Sequence, residues 1–249
     1  MKILVDLNLF DYLHGITTLT FVILSIIIGI RLLTKYKSLK RKEIITVGFA
    51  WIFLSSAWWG SSFSFLSILI ADYAFGDFLF FFLANIFIPI ALVCWIYSFS
   101  SILYPNSKEK ITIPFIILSV FYEIFLISLL LDPTYYTEFI GQIKEKFYYQ
   151  PGLLTLIFQL FSVLITIITG YVFSFKSMKV EDPKVKWKGR FLLIAFSLFI
   201  VGAIFDAVIT MTELTVVIIR SILILSSIFY YLGFLLPDRL AEHLGAITE

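Results

Sequence analysis

Long apolar runs alternate with short polar segments along the whole chain. A helix that crosses a membrane needs about 20 mostly apolar residues, and seven runs reach that length. They cover 13–34, 44–70, 78–103, 111–131, 152–175, 191–210 and 215–235. The pattern therefore predicts an all-α fold, an integral membrane bundle of seven transmembrane helices that takes up residues 1–249 as a single domain.

Proline positions support these boundaries. Five prolines lie in loops or at span ends: Pro105, Pro133, Pro151, Pro183 and Pro237. Proline breaks helices because it lacks a backbone donor and clashes with the preceding turn. Pro89 lies inside the third run and predicts a kink, whereas Pro114 falls in the first turn of the fourth, where proline is tolerated. Only residues 211–214 separate spans six and seven, which we therefore expect to be antiparallel neighbours.

Lysine and arginine residues collect on one side of the predicted bundle. Segments 31–42 and 176–190 hold six each, and fifteen in all lie on this side, against three (Lys2, Lys144 and Lys146) on the other. Cytoplasmic loops carry the excess of positive charge. We therefore expect a multi-pass protein of the cell membrane with its N-terminus outside and its C-terminus cytoplasmic. The two basic segments would then be able to hold anionic lipid headgroups of the bilayer.

Composition narrows the class of protein further. Hydrophobic residues make up 60% and charged residues 14%, against about 45–50% and 25% in soluble domains, which argues against a soluble enzyme. A net charge of +2 provides no basic field for nucleic acid. Cys94 is the single cysteine and permits no intrachain disulfide. Two histidines cannot build a three-histidine zinc site, so we expect no metal and no cofactor.

Three charged residues fall inside the predicted spans: Glu123, Asp206 and Arg220. Such residues face the bundle interior, pair with each other or reach the interface, because a charge in the bilayer is costly. At 1.5 Å per residue they lie roughly 12, 6 and 8 Å below the outer ends of their spans. We expect Asp206 and Arg220 to pair across adjacent helices, with Glu123 as a second partner. The alternative is that Asp206 and Arg220 only reach the outer interface.

Two uncharged polar residues lie at a similar depth. Asn85 in span three and Gln159 in span five are each about seven residues below the outer end. Such residues form hydrogen bonds between helices or contact a ligand. With the three charged residues they make a candidate ligand or ion-pair layer in the outer half of the bundle. His14, near the outer end of span one, is interpreted as an interfacial residue.

Span two carries a stripe of small residues beside two tryptophans. Ser56, Gly60 and Ser64 recur at every fourth position, a spacing that lets two helices approach closely. Trp58 and Trp59 lie near mid-span rather than in an interfacial belt. They would either line an apolar pocket below the polar layer or serve helix packing alone.

The longest outer loop, residues 132–151, has an amphipathic pattern. Its apolar residues near one helical face are Phe139, Ile140, Ile143 and Phe147. The pattern predicts a short helix at the membrane interface. This helix would either cap the polar layer as a lid or rest on lipid.

The sequence contains no motif that indicates catalysis, and we expect a protein that is not an enzyme. It has no glycine-rich phosphate loop and no GxSxG turn. The seven-span plan resembles that of microbial rhodopsins, but span seven lacks the lysine that binds retinal there and span six lacks tryptophan.

The seven-span topology and the residues at the end of span seven resemble those of a second class of proteins. The sequence at the end of this span is Tyr231-Leu232-Gly233-Phe234-Leu235-Leu236-Pro237. It is similar to the end of the seven-helix sensory regions at the N-termini of prokaryotic histidine kinases. The resemblance implies a sensor, and because no kinase module follows in this sequence, a separate signalling partner protein.

Three functional hypotheses follow. The first is a stand-alone receptor-like or sensor protein that binds a small-molecule ligand around Glu123, Asp206 and Arg220. The second is a small secondary transporter or proton-coupled carrier that uses Glu123 as its titrating group. The third is a structural or assembly subunit of a membrane complex, with the small-residue stripe of span two as its interface.

Overall fold

The computed structural model describes residues 6–246 and contains seven helical stretches long and apolar enough to cross a membrane. The helices are α1 (Leu9–Leu39), α2 (Lys42–Leu54), α3 (Trp59–Ala71), α4 (Asp77–Asn85), α5 (Ile88–Leu103), α6 (Lys108–Leu130), α7 (Leu153–Met178), α8 (Pro183–Val208), α9 (Glu213–Leu235) and α10 (Asp238–His243). The predicted fold class and the number of spans are confirmed. Helices α2 and α3 together form one span, and so do α4 and α5. Lys2, which was counted among the cations above, lies outside the described residues.

Two helices extend well beyond their apolar runs. Helix α8 begins at Pro183, eight residues before the predicted start, because the Asp182 carboxylate caps it by accepting from the amides of Lys184 and Val185. Helix α1 continues to Leu39. The basic segments assigned above to loops are therefore largely helical. Capping residues set the ends of a helix. The length of an apolar run predicts only the part of the helix that lies in the bilayer core.

Prolines act at two different places in the spans. Span three is broken between Asn85 and Ile88, and Pro89 stands in the first turn of α5, which confirms the predicted kink. The placement of Pro114 was wrong. Helix α6 begins at Lys108 and contains Pro114 in its interior, because its first turn is made by polar residues that precede the apolar run.

Span two is interrupted by a 3₁₀ segment over Ser55–Trp58. Just beyond it, a Cβ on Gly60 would lie 2.8 Å from the carbonyl oxygen of Phe80 on α4. Ser56 and Ser64 on the same face are fully buried. The small-residue stripe is thus used for close packing inside the chain and is not exposed to a partner.

Six helices form a closed ring in which each packs against the next. The order is α1, α2, α5, α7, α8 and α9, and α9 returns to α1, so that spans six and seven are neighbours as expected. Helix α6 lies outside the ring, against α5 and, through stacking of Tyr122 on Phe158, against α7. We call the end of the ring where α1 begins the N-terminal face. The other end, where the lysine- and arginine-rich parts of α1, α2, α7 and α8 meet, is the basic face.

The loop after α6 is not the predicted amphipathic helix. It contains a short π-helical turn, Tyr136–Ile140, followed by an antiparallel hairpin of β1 (Gly141–Lys144) and β2 (Tyr148–Pro151). Gly141 ends the turn with φ +142°, a conformation that other residues rarely adopt. The hairpin covers the N-terminal face of the ring. Its turn residue Phe147 is 1% exposed and packs between Phe65 and His14.

Candidate ligand site

An ion pair between α8 and α9 organises the N-terminal half of the ring. The Arg220 guanidinium lies 2.7 Å from Oδ1 of Asp206, and the two side chains are 2% and 17% exposed. The indole nitrogen of Trp58 donates to the other carboxylate oxygen at 2.6 Å. Arg220 also lies over the Trp58 ring, 5.7 Å from its centroid. The expected pairing of Asp206 with Arg220 is therefore present, and Trp58 is a third member.

Helix α1 supplies two further partners that the sequence analysis did not include. Nε of Arg220 donates to the Thr18 hydroxyl at 2.9 Å, and an η nitrogen lies 3.5 Å from Nε2 of His14. His14 is 1% exposed and stacks between Phe10 and Phe147. Its interpretation as an interfacial residue was wrong, because the hairpin above it excludes it from the surface.

We call the five residues His14, Thr18, Trp58, Asp206 and Arg220 the ionic cluster. A buried arginine is tolerated only where other groups satisfy its charge and its donors. Here α1 and α8 approach α9 from two sides, and the end of the 3₁₀ segment at Trp58 brings in the indole. The cluster thus ties together four helical elements of the ring.

A second group of polar residues lies between α4, α7 and the hairpin. The Gln159 amide donates to Oδ1 of Asn85 at 3.2 Å, and the Asn85 amide donates to the Tyr149 hydroxyl at 3.2 Å. The hydroxyls of Tyr149 and Thr155 both donate to the Ile140 carbonyl, at 2.7 and 2.6 Å. We call Asn85, Tyr149, Thr155 and Gln159 the amide cluster. It carries no formal charge and links the hairpin to the ring.

Tyr149 stays a neutral donor in this cluster over the ordinary pH range. Burial raises the pKa of its hydroxyl to about 12, although hydrogen bonds with Thr155 and Asn85 act in the opposite direction. The hydroxyl therefore keeps its proton and can hold the Ile140 carbonyl. The hairpin is anchored by a contact that does not depend on pH below that value.

A cavity of about 70 Å³ separates the two clusters, and we call it the inner cavity. Asp206 and Trp58 line it on one side, and Gln159 and Tyr149 line it on the other. Most of the remaining wall is apolar, with contributions from α2, α5, α7 and α8. The space thus has a small number of convergent polar groups in an apolar wall, as small-molecule sites have, but its volume is below the about 300–1,000 Å³ of drug-sized sites and admits a group of only a few non-hydrogen atoms.

A wider space of about 310 Å³, the vestibule, lies between the inner cavity and the N-terminal face. Lys144, Glu145 and Tyr148 of the hairpin line it, together with the start of α1 and the α8–α9 connection. Asp206 lines both the vestibule and the inner cavity. Asp206 therefore lies at the boundary between the two spaces.

Aromatic side chains close the ring below the inner cavity. Trp51 stacks on Tyr230 with ring centroids 3.8 Å apart, and Phe199 lies against Trp51 at 5.8 Å. Trp95 packs on Phe196 at 5.1 Å. The space left among them has a volume of about 10 Å³, which admits no ligand.

Glu123 does not belong to either cluster. Its helix, α6, lies outside the ring, and among the described residues no cation approaches its carboxylate within ion-pair distance. Both carboxylate oxygens are shielded from solvent and accept no hydrogen bond from the described part of the chain. The expectation that Glu123 is a second partner of Arg220 was therefore wrong. Residues at the same depth can lie on opposite sides of a bundle, so that equal depth alone does not show that two residues are in contact.

The two tryptophans of span two also separate. Trp58 lines the inner cavity, as the pocket hypothesis requires. Trp59 packs against Phe53, Phe63 and Phe87, and its indole donates to Ser55 at 3.1 Å. The side chains of consecutive helical residues point about 100° apart. Trp58 therefore faces the interior of the ring, and Trp59 does not.

Comparison of the sequence with protein-family models and with curated proteins found no match. The chain is an integral membrane protein by the length and composition of its seven spans.

Proposed function

We propose that this membrane protein is receptor-like, a sensor that binds a small molecule between the ionic cluster and the amide cluster. The observation that carries the proposal is the position of Asp206. Its carboxylate is held by Arg220 and Trp58, and the same residue lines both the vestibule and the inner cavity. A ligand that enters from the N-terminal face would pass the hairpin residues of the vestibule and reach Asp206 at the entrance to the inner cavity.

The chemistry of the walls favours an uncharged ligand. Asp206 and Arg220 balance each other one to one, so that a net charge on the ligand would have no counterpart in the inner cavity. Asp206 offers acceptor oxygens, and Gln159 offers an amide that both donates and accepts. The apolar remainder of the wall suits a short hydrocarbon body. We therefore infer a neutral molecule with at least one N–H or O–H group and a small apolar part.

Helices α8 and α9 provide a route from the site to the opposite face. Both carry a member of the ion pair, and both continue from the site to the basic face. A ligand that draws Asp206 away from Arg220 would change the packing of these two helices. The resemblance to seven-helix sensory regions supports a signalling role, with a separate partner protein at the basic face.

Binding is tested with the purified full chain in detergent and a graded series of primary alkyl amides and alcohols as probes. The measured quantity is the shift of the unfolding temperature with probe concentration. We expect stabilisation that rises with alkyl length, passes through a maximum and falls when the inner cavity is full. Ala203 lines that cavity, and Ala203→Leu should abolish the shift.

Val201→Leu is the matched control, because Val201 lies on the same helix and is 40% exposed on the outside of the bundle. It should leave the shift unchanged. Equal shifts in Ala203→Leu and in the unchanged protein would contradict the site. Hydrogen exchange of segments 31–43 and 176–190 then tests signalling: a sensor predicts that a bound probe changes exchange there, and unchanged exchange would contradict it.

One observation favours the carrier hypothesis as a second candidate. A further cavity, of about 450 Å³, opens at the basic face and is lined by all six ring helices. Spaces at both ends of one ring suit alternating access. Glu123 is remote from this axis, so that a carrier would not use it as first supposed. Uptake of a radiolabelled amide into liposomes that contain the protein, compared with Ala203→Leu, separates a carrier from a sensor.

A further inference from the structure

The cavity at the basic face combines an apolar wall with a rim of cations. Its wall is made mostly of Leu, Ile, Val and Phe side chains from the six ring helices. Its ionisable lining residues are Arg41, Lys176, Lys188 and Glu43. Three cations and one carboxylate leave an excess of positive charge beside apolar surface, which is the pattern that an anionic amphiphile would complement.

The three cations are differently engaged. Arg41 lies 3.8 Å from the Glu43 carboxylate, in a pair whose side chains are 60% and 26% exposed. Lys176 donates to the Tyr104 hydroxyl at 3.1 Å. Lys188, which is partly buried, makes no ion pair or hydrogen bond with a residue of the described part of the chain. Of the three cations, Lys188 is therefore the one whose ammonium makes no such contact, although the carboxylates of Asp182 and Asp238 lie close enough to interact with it electrostatically.

The place of the cavity in the fold indicates how a lipid would reach it. Its rim lies where α5 ends, α7 ends and α8 begins, at the depth of a headgroup layer if the spans cross a bilayer. Lys176 on α7 donates to the hydroxyl of Tyr104 beyond the end of α5, and this side-chain contact lies at the rim of the cavity. Val180 beside it is 45% exposed.

The volume favours a lipid over a protein partner. Small-molecule sites measure about 300–1,000 Å³, and about 450 Å³ lies within that range. One turn of a helix with its side chains, about 10 Å wide and 5.4 Å long, would already need roughly 400 Å³. A partner helix would therefore fill the cavity with its first turn, whereas a hydrocarbon chain can enter along its length.

We infer that the basic-face cavity binds an anionic phospholipid, with the headgroup phosphate on Lys188 and Lys176 and an acyl chain against the apolar wall. This site is separate from the ligand site at the N-terminal face, and neither depends on the other. It would fix the spacing of α5, α7 and α8 at this face, and so couple the protein to the anionic lipid content of its bilayer.

The test uses the purified full chain in detergent, titrated with short-chain phosphatidylglycerol and followed by native mass spectrometry. Phosphatidylcholine with the same acyl chains is the uncharged comparison, and inorganic phosphate is the competitor without a chain. We expect phosphatidylglycerol to bind tighter than phosphatidylcholine and inorganic phosphate not to displace it. Lys188→Gln should weaken phosphatidylglycerol binding about five-fold, the usual effect of one cation near an anionic lipid.

Lys186→Gln is the matched control, because Lys186 lies two residues away on α8 and does not line the cavity. It should bind phosphatidylglycerol as the unchanged protein does. Val185→Trp, which fills the cavity without removing a charge, should weaken both lipids. Equal losses in Lys188→Gln and Lys186→Gln would overturn the proposal in favour of general attraction to the basic face. Displacement by inorganic phosphate would overturn it in favour of a free anion site.

Discussion

Asp206 and Glu123 are both carboxylates placed by the sequence within apolar spans, but the fold treats them in opposite ways. Asp206 lies on a ring helix, and its two oxygens are engaged by Arg220 and by the Trp58 indole. Glu123 lies on α6, outside the ring, and its oxygens accept no hydrogen bond from a described residue. One carboxylate belongs to a cluster that joins four helical elements, and the other belongs to no such cluster among the described residues.

The difference shows that ring membership, rather than depth, decides what an intramembrane charge can do. A residue on the ring can meet side chains from several helices, and α8 has neighbours on both sides. A residue on a peripheral helix meets one or two. Substitution of an intramembrane charge on a ring helix should therefore lower the stability more than the corresponding substitution on α6.

The largest effect is expected for Asp206→Leu. This change leaves the fully buried Arg220 guanidinium without its counter-charge, and breaking one side of a buried pair costs about 3–5 kcal/mol. The free energy of unfolding of the purified protein in detergent, followed by a denaturant titration, should fall by that amount.

The double variant Asp206→Leu with Arg220→Met tests the reason for this loss. Replacement of both partners of a buried pair by apolar residues is often neutral, and the double variant should recover most of the stability. A double variant as unstable as Asp206→Leu would mean that packing around Asp206, rather than its charge, carries the effect.

The second effect concerns the hairpin that covers the ionic cluster. Phe147→Ala removes a ring that is 1% exposed between Phe65 and His14, at an expected cost of about 3 kcal/mol. It should also speed hydrogen exchange at the first turns of α1. Tyr135→Ala, in the same loop but 44% exposed, should change the free energy of unfolding by less than about 0.5 kcal/mol. Comparable losses in the two variants would show that the hairpin is no lid for the cluster.

The spans could be predicted from the sequence because apolar length alone identifies a helix that fits a bilayer. The hairpin could not be predicted in that way. Phe139, Ile140, Ile143 and Phe147 show a helical period, but the backbone reversal at Gly141 and the pairing of β1 with β2 override it. The start of α8 and the end of α1 could not be predicted from hydropathy either. A capping residue such as Asp182 sets the end of a helix, and capping leaves no signal in the hydropathy pattern.

Only the charged part of the site, Asp206 and Arg220, could be predicted from the sequence. Charges are rare in spans, so Asp206 and Arg220 stood out, and neighbouring antiparallel helices brought them together. Thr18 and His14 carry no such signal individually. Their spacing of four residues on α1, at the depth of Arg220, places both on one helical face and would have suggested a shared partner. Nothing in the sequence shows that α6 lies outside the ring.

A smaller effect is expected for Thr18→Val. The substitution keeps the shape of the side chain but removes the hydroxyl that accepts from Nε of Arg220 at 2.9 Å. Loss of a hydrogen bond to a buried charge costs about 2 kcal/mol, measured as before by denaturant titration. Thr20→Val is the control, because the Thr20 hydroxyl is exposed and donates only to the Ile16 carbonyl. If both variants lose the same stability, Arg220 does not need its contact with α1.

The smallest effect is expected for Glu123→Gln, and it is the sharpest test of the comparison. The amide has the shape of the carboxylate, and no partner among the described residues is left behind. The free energy of unfolding should therefore change by less than about 1 kcal/mol, and stabilisation by the alkyl amide probes should be unchanged. Asp206→Asn, the same chemical change on the ring, should alter both measurements. A loss of probe binding in Glu123→Gln would place this residue back in the functional site and show that α6 moves into the ring when the protein works.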